Sequence, residues 1–186
     1  TKQATPMSFE TIQFDTDGNV ATITLNRPEA ANAMNPLMAR ELSQVAITCD
    51  EDASIRAVII TGAGRMFCAG GDLGAFAAAG TGASALMKGM AGDLHLAISR
   101  LTRMRAPVIA AINGTAAGAG FSLAVAADLA IAASSAKFVM AYTNAGLSPD
   151  GSSTYFLPRR IGDRRARELM LTNRMLNATE AVAWGL

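Results

Sequence analysis

Apolar and polar residues alternate from Phe9 to Pro28, in FETIQFDTDGNVATITLNRP, with one interruption at Asp17-Gly18-Asn19. Two strands around such a turn predict a hairpin, and Pro28 stops the second strand. The period then changes. In NPLMARELSQVAITCDED, Leu37, Leu42, Val45 and Ala46 recur at helical spacing behind an Asn35-Pro36 start signal. IRAVIITGAG (residues 55–64) and APVIAAING (106–114) are short, nearly all-apolar runs, the pattern of strands covered on both faces. Between them the pattern predicts a Gly/Ala-rich loop with a short helix over 68–82 and a longer helix near 84–104. Beyond them it predicts a helix after NGTAAGAGFSL and two short β segments in LAIAASSAKFVMA. Helices near 153–161, 163–172 and 178–184 follow. Strands joined by helical crossovers imply a mixed α/β fold with a largely parallel sheet. No stretch reads as a linker, so residues 1–186 are expected to form one domain. Similar Gly-rich turns after VIITG and IAAING hint at a repeated strand–loop–helix unit.

Composition sharpens this picture only in places. Hydrophobic residues are 51% and charged residues 17% of the chain, which excludes a disordered protein. A net charge of +1 gives no electrostatic reason to expect a nucleic-acid partner. Basic residues do cluster, at Arg100, Arg103 and Arg105 and again at Arg159, Arg160, Arg164, Arg165 and Arg167. On helices such runs are expected to be solvated faces or subunit contacts, with anion binding as the minority reading. Cys49 and Cys68 are far apart and lack a CxxC or a partner histidine. Neither a disulfide framework nor a zinc site is expected, and a reducing compartment is. TKQATPMSFE has no apolar signal region, and no apolar run reaches the roughly 20 residues of a membrane span. A soluble, cytoplasmic protein without a metal or a resident cofactor is the expectation.

The chemistry gathers at two Gly-rich turns. FCAGGDL follows one apolar strand and NGTAAGAGFSL follows the other, each placing small residues at the start of a helix. Glycine inside a helix costs roughly 1 kcal/mol relative to alanine, so something must require the bare backbone. N–H groups at a helix start have no intrahelical partner and lie at the positive end of the dipole. Two such turns aimed at one point would form an oxyanion hole, with small side chains letting a carbonyl oxygen approach.

LNRPEAANAMN, VIITGAGRMFCAGGDL, AAINGTAAGAGFSLAVAADLAIAA, AKFVMAYTNAGLSPDGSSTYFLPRRIG and ATEAVAWGL, in that order, strongly resemble the enoyl-CoA hydratase/isomerase (crotonase) superfamily. The closest motif likeness is to isomerase members with a catalytic Asp and to chlorobenzoyl-CoA dehalogenases. The resemblance implies a ClpP/crotonase-like spiral of repeated ββα units, assembly as a homotrimer or hexamer, and an acyl-CoA substrate. Coenzyme A would then be part of the substrate and not a cofactor. Relatives continue past VAWGL into C-terminal helices, so the resemblance implies that this region is cut short here.

By motif position the resemblance assigns the oxyanion donors to Gly71 and Ala119. Hydratases of the family carry two glutamates that activate water; here those positions fall on Ser122 and Tyr142, so hydration by a Glu pair is not expected. Asp150, in SPDGSST, matches the catalytic Asp of some isomerases and the nucleophilic Asp of the dehalogenases. A Pro-Asp-Gly turn alone would make Asp150 a loop-shaping residue; the family context favours catalysis. His95, twelve residues before Pro107, is similar in position to a dehalogenase histidine and is divided evenly between catalysis and packing. Tyr142 replaces a dehalogenase Trp, lines the acyl pocket, and is expected to hydrogen-bond Asp150 or the substrate. The resemblance further implies substrate contacts from Arg27, Ala31, Ala33, Ala69, Asp72, Leu73, Gly118, Ser122 and Leu147. Ala31 takes a position where relatives often hold a basic residue for coenzyme A, for which Arg27 or a later basic residue would compensate.

Asp72 reads foremost as a helix cap and Asp128 as a junction residue. Among the methionines, Met87 and Met90 are the candidates to lie near an acyl chain. Enoyl-CoA isomerisation with Asp150 as acid and base is the leading expectation. Its rivals are attack by Asp150 on the substrate, in dehalogenation or thioester hydrolysis, and hydration. A non-enzymatic rival is binding of AU-rich RNA, as in one relative of this fold; the neutral charge balance argues against it.

Overall fold

The computed structural model describes residues 9–186, so most of the segment read for a signal, TKQATPMSFE, lies outside the described residues. The predicted hairpin forms from β1 (Ile12–Asp17) and β2 (Val20–Leu25), paired antiparallel around Gly18 and Asn19. Alternation decides its faces: Ala21, Ile23 and Leu25 are fully buried, while Val20, Thr22 and Thr24 between them are half-buried. β3 (Ala57–Gly62), β5 (Val108–Ile112) and β7 (Leu129–Ala132) add to β2 in parallel, giving the order β1-β2-β3-β5-β7.

A second sheet lies beyond the long strands. Its members are β4 (Met66–Cys68), β6 (Thr115–Ala117), β8 (Lys137–Val139) and β9 (Leu176–Asn177), in the order β4-β6-β8-β9. The chain therefore repeats one move. It leaves a long strand, makes a short strand in the second sheet, and returns through helix: α2 (Leu73–Ala78) and α3 (Ala83–Leu101) after β4, α4 (Ala119–Ala126) after β6, α5 (Ser153–Ile161) after β8. This is a mixed α/β architecture of stacked ββα turns. Before it comes α1 (Pro36–Glu51), and after it α6 (Asp163–Thr172) and α7 (Ala178–Trp184).

The helices follow their local chemistry. Asn35 caps α1 by accepting from the Met38 N–H, with Pro36 at the first turn. Its buried stripe of Met38, Leu42, Val45, Ala46 and Cys49 packs on α3. Glu41 is buried on the same helix and is fully engaged, accepting from the N–H groups of Glu10 and Thr11 and from the Thr11 hydroxyl. All eight residues of α4 are buried, so this helix is apolar on every side and runs through the core. The Asp128 carboxylate accepts from the Val108 N–H at 2.8 Å and closes the α4–β7 junction, the structural role expected of it.

Three expectations need correction. The helix expected to reach residue 104 ends at Leu101. The runs 55–64 and 106–114 are not covered on both faces: Val58, Ile60, Val108 and Ala110 are buried, but their neighbours Ile59 and Ile109 are half-buried. The register aligns Ile59 with Ile109 and Ile109 with Leu129, and Leu129 and Ile131 are largely exposed. An apolar run reports two apolar faces and not what lies against them. Finally β4, β6 and β9 were not anticipated as strands. The basic run lies on an exposed face, as expected for a solvated one: Arg159 stacks on Tyr155, Arg165 on Trp184, Arg167 pairs with Asp163, and Arg160 donates to the carbonyls of Val125 and Ala127.

Candidate active site

The two Gly-rich turns meet. A Cβ placed on Gly118 would lie 3.5 Å from the Cα of Gly70, and one placed on Gly70 would lie 3.1 Å from the carbonyl oxygen of Ala117. Gly118 holds φ 48° and ψ −120°, a conformation that L side chains rarely adopt, and so delivers α4 at this angle. Gly120, the second residue of the helix, sits against β4. A Cβ there would come within 2.5 Å of both the Cβ and the carbonyl oxygen of Cys68. The bare backbone thus lets the start of α4 close onto the loop after β4.

At this junction the Gly71 and Ala119 amides have no backbone partner among the described residues. The Met34 N–H donates to Gly70 (2.7 Å) and the Asp72 N–H donates to Met34 (2.9 Å), so the bridge uses the groups on either side of Gly71. In extended backbone the Gly71 N–H then turns the opposite way. Ala119 is the first residue of α4, and its N–H has no intrahelical acceptor. Both residues line one cavity of about 470 Å³.

The cavity wall is mostly apolar. From α2 and the loop before it come Ala69, Gly70, Leu73 and Phe76; α3 contributes Met87, Met90, Ala91 and Leu94; Tyr142 and Leu147 close the far side. On α3 the lining residues Ser84, Met87, Lys88, Ala91 and Leu94 recur at three- and four-residue steps, one stripe of the helix. Among the described residues Asp150 is the one carboxylate on the wall. Its Oδ1 lies 2.6 Å from His95 Nε2, and both side chains are partly exposed, 39% and 49%. His95 is one turn beyond Ala91 on the same stripe.

Behind Asp150 lies a buried cluster of hydroxyls. The Asp150 carbonyl accepts from the Ser122 hydroxyl at 2.8 Å and from the Ser153 hydroxyl at 2.7 Å. Ser122 Oγ is also 2.8 Å from the Tyr142 hydroxyl and 3.2 Å from the Gly118 carbonyl. Burial pushes the Tyr142 phenol well above its ordinary range, the Ser122 hydrogen bond opposes this, and the nearby Asp150 charge adds to it. Tyr142 is therefore a neutral hydroxyl at any working pH. The backbone after Asp150 is strained: Gly151 and Ser152 hold φ 59° and 61°, an arrangement that costs on the order of 1 kcal/mol or more for a non-glycine residue.

The sequence-predicted residues divide into three groups. Gly71, Ala119, Ala69, Leu73, Gly118, Leu147, Tyr142 and Asp150 share the cavity, with Met87 and Met90. Ser122, fully buried, and His95, exposed, lie outside the lining and both bond to Asp150. Arg27, Ala31, Ala33 and Asp72 lie outside the lining, on an adjoining loop. There Ala31 accepts from the Ala69 N–H (3.1 Å), and the Arg27 guanidinium donates to Ala33 and pairs with Asp72 at 2.9 Å. Asp72 also caps α2 through the Ala75 N–H, as expected. Burial alone would raise the Asp72 carboxyl, but the Ala75 N–H, the Arg27 guanidinium and the Gly74 N–H outweigh it and hold it below the usual carboxylate range. The Tyr142 hydroxyl meets Asp150 through Ser122, whose Oγ lies 2.8 Å from it and bonds the Asp150 carbonyl. Phe76 on α2 and Ser84, Lys88 and Leu94 on α3 were missed; the α3 stripe was the only signal for the last three.

Beyond the cavity, among the described residues no His, Cys, Asp and Glu cluster is arranged to hold a metal ion, and no helix is long and apolar enough to cross a membrane. Cys68 is enclosed beside the Gly-rich turn, and burial pushes its thiol up to about 11.

Residues 15–186 match the family model described as Enoyl-CoA hydratase/isomerase. The chain is 43% identical over 179 residues to 1,2-epoxyphenylacetyl-CoA isomerase of Escherichia coli, covering 96% of this chain and 68% of that protein. To 4-chlorobenzoyl coenzyme A dehalogenase-2 of an Arthrobacter species it is 38% identical over 182 residues, covering 92% of this chain and 62% of that one. The solved enoyl-CoA hydratase of Bacillus anthracis superposes with a TM-score of 0.88 at 36% identity, over 95% of this chain and 68% of that one. The chain thus spans about two thirds of the length of these relatives.

Proposed function

The chain belongs to the enoyl-CoA hydratase/isomerase family, and on that premise we propose that it isomerises an enoyl-CoA thioester with Asp150 as a single acid and base. One observation carries the reading: the cavity lined by Gly71 and Ala119 has, among the described residues, one carboxylate on its wall, Asp150. The two hydratase glutamate positions are the hydroxyls of Ser122 and Tyr142, and neither can take a proton from water.

In this reading the thioester oxygen is held by the Gly71 and Ala119 N–H groups. The Asp150 carboxylate removes a proton from the carbon α to the thioester of a β,γ-enoyl group, and the electron pair moves into the dienolate as charge builds on oxygen. The protonated Asp150 then returns the same proton to the γ carbon, and the double bond ends at α,β. No atom is gained or lost, and one base suffices. Backbone donors fixed before reaction supply the larger part of the stabilisation, since they need no reorganisation as charge develops. The apolar wall of Phe76, Met87, Met90 and Leu94 suits a hydrocarbon acyl group. We assign the Arg27–Ala33 loop to the coenzyme A moiety.

The test is a β,γ-enoyl-CoA incubated in deuterated water, following hydration, deuterium exchange and double-bond migration separately. Migration without hydration is expected, and Asp150→Asn should slow it by roughly 10²- to 10⁴-fold. Full turnover by Asp150→Asn would refute the assignment.

The His95–Asp150 contact at 2.6 Å favours one second reading. Asp150 would attack the acyl group as a nucleophile, in dehalogenation or thioester hydrolysis, with His95 placed to activate the water that releases it. A mass increment on the peptide containing Asp150 after rapid quench would mark that route; isomerisation leaves none.

A further inference from the structure

We infer that Ser122 and Tyr142 are positioning residues that fix the Asp150 carboxylate through its own main chain. This rests on the reading of Asp150 as the acid and base. The geometry orders the protons. A serine hydroxyl has one hydrogen, and at Ser122 the shorter carbonyl contact, 2.8 Å against 3.2 Å, is to Asp150. With that hydrogen spent, the Tyr142 hydroxyl, 2.8 Å away, donates to Ser122 Oγ. The relay runs one way, from Tyr142 to Ser122 to the Asp150 carbonyl, and the Ser153 hydroxyl completes the grip at 2.7 Å.

The surroundings make this grip necessary. Two successive left-handed residues, Gly151 and Ser152, follow Asp150, and such backbone persists only where its environment holds it. Gly151 rests on the clamp itself: a Cβ there would meet Ser122 Cβ at 2.7 Å. Ser122 is fully buried on α4, three residues after Ala119. One rigid helix therefore carries both an oxyanion donor and the hydroxyl that anchors the base. The distance between charge stabilisation and proton transfer is set by α4, although Asp150 stands on a loop.

The experiment compares Tyr142→Phe, Ser122→Ala, their double variant and each change combined with Asp150→Asn, in the full chain, measuring kcat and KM with a β,γ-enoyl-CoA. Tyr142→Phe keeps the ring and removes only the proton donor, so it carries the test even if Ser122→Ala folds poorly. A base displaced by a fraction of an ångström should lower kcat about 10- to 100-fold, with KM within about twofold. The double variant should lose little more than the worse single one, since both act on one carbonyl. In the Asp150→Asn background the further loss should stay below about threefold. Unchanged kcat in Tyr142→Phe and Ser122→Ala, effects that multiply, or a rise in KM alone would overturn the inference while leaving Asp150 as the base. Full activity in Asp150→Asn would instead overturn the acid–base reading beneath it.

Discussion

Gly120→Ala is the smallest change that should separate the account from a generic one, because it adds a single methyl group. That methyl would sit 2.5 Å from Cys68 Cβ, 2.5 Å from the Cys68 carbonyl oxygen and 3.0 Å from its sulfur. Ordinary contact begins near 3.4 Å, so α4 or β4 must retreat by almost an ångström. Neither is free to do so. Every residue of α4 is buried, β4 is paired with β6, and the loop after β4 is tied to Ala31. Overpacking of this kind costs about 3 kcal/mol, which for a chain of this size lowers Tm by roughly 6–12 °C. Gly89→Ala in α3 is the matched control, since nothing lies within 4 Å of its added Cβ. There the helix gains propensity and stability rises by about 0.5–1 kcal/mol. Calorimetry on the two variants should give shifts of opposite sign. The account further predicts that Gly120→Ala loses roughly 10²-fold in kcat at a temperature where it is fully folded, because the Ala119 amide moves with the helix start. Equal Tm shifts, or a destabilised variant with unchanged kcat, would refute the reasoning.

Other outcomes follow from the same geometry. Cys49 and Cys68 have thiols pushed up to about 12 and about 11 by burial, so both should resist a disulfide reagent at pH 8 and react after unfolding; labelling of the native protein would contradict their enclosure. Asp72 is held below the usual carboxylate range, so its contribution to stability is present above its unfolded pKa and is lost as pH falls through the folded one. Asp72→Asn should therefore lower Tm at neutral pH and converge with the parent protein in acid; a constant difference down to the acid limb would exclude the linkage.

How much of this was legible in the sequence depended on length and distance. The hairpin and α1 were legible because six or more residues repeated one period, and Asn35-Pro36 and Gly18-Asn19 punctuated them. β4, β6 and β9 span two or three residues, too short for any period to show, so the second sheet was invisible although it carries both Gly-rich turns. Small residues at 70–71 and 118–120 signalled a bare backbone; that the two turns touch is a property of the stacking. Phe76 and Leu94 carried no signal of a site, because an apolar side chain facing a cavity has the same local pattern as one facing a neighbour. His95 and Asp150 are 55 positions apart and Ser122 and Tyr142 are 20 apart, and only the family resemblance had brought either pair near one site.

A crystal structure with a bound CoA thioester would show the paired amides at work. One thioester oxygen is expected within about 3 Å of both the Gly71 and Ala119 nitrogens, with the Asp150 carboxylate facing the α carbon. A thioester oxygen bound elsewhere, or held by only one of the two amides, would contradict it.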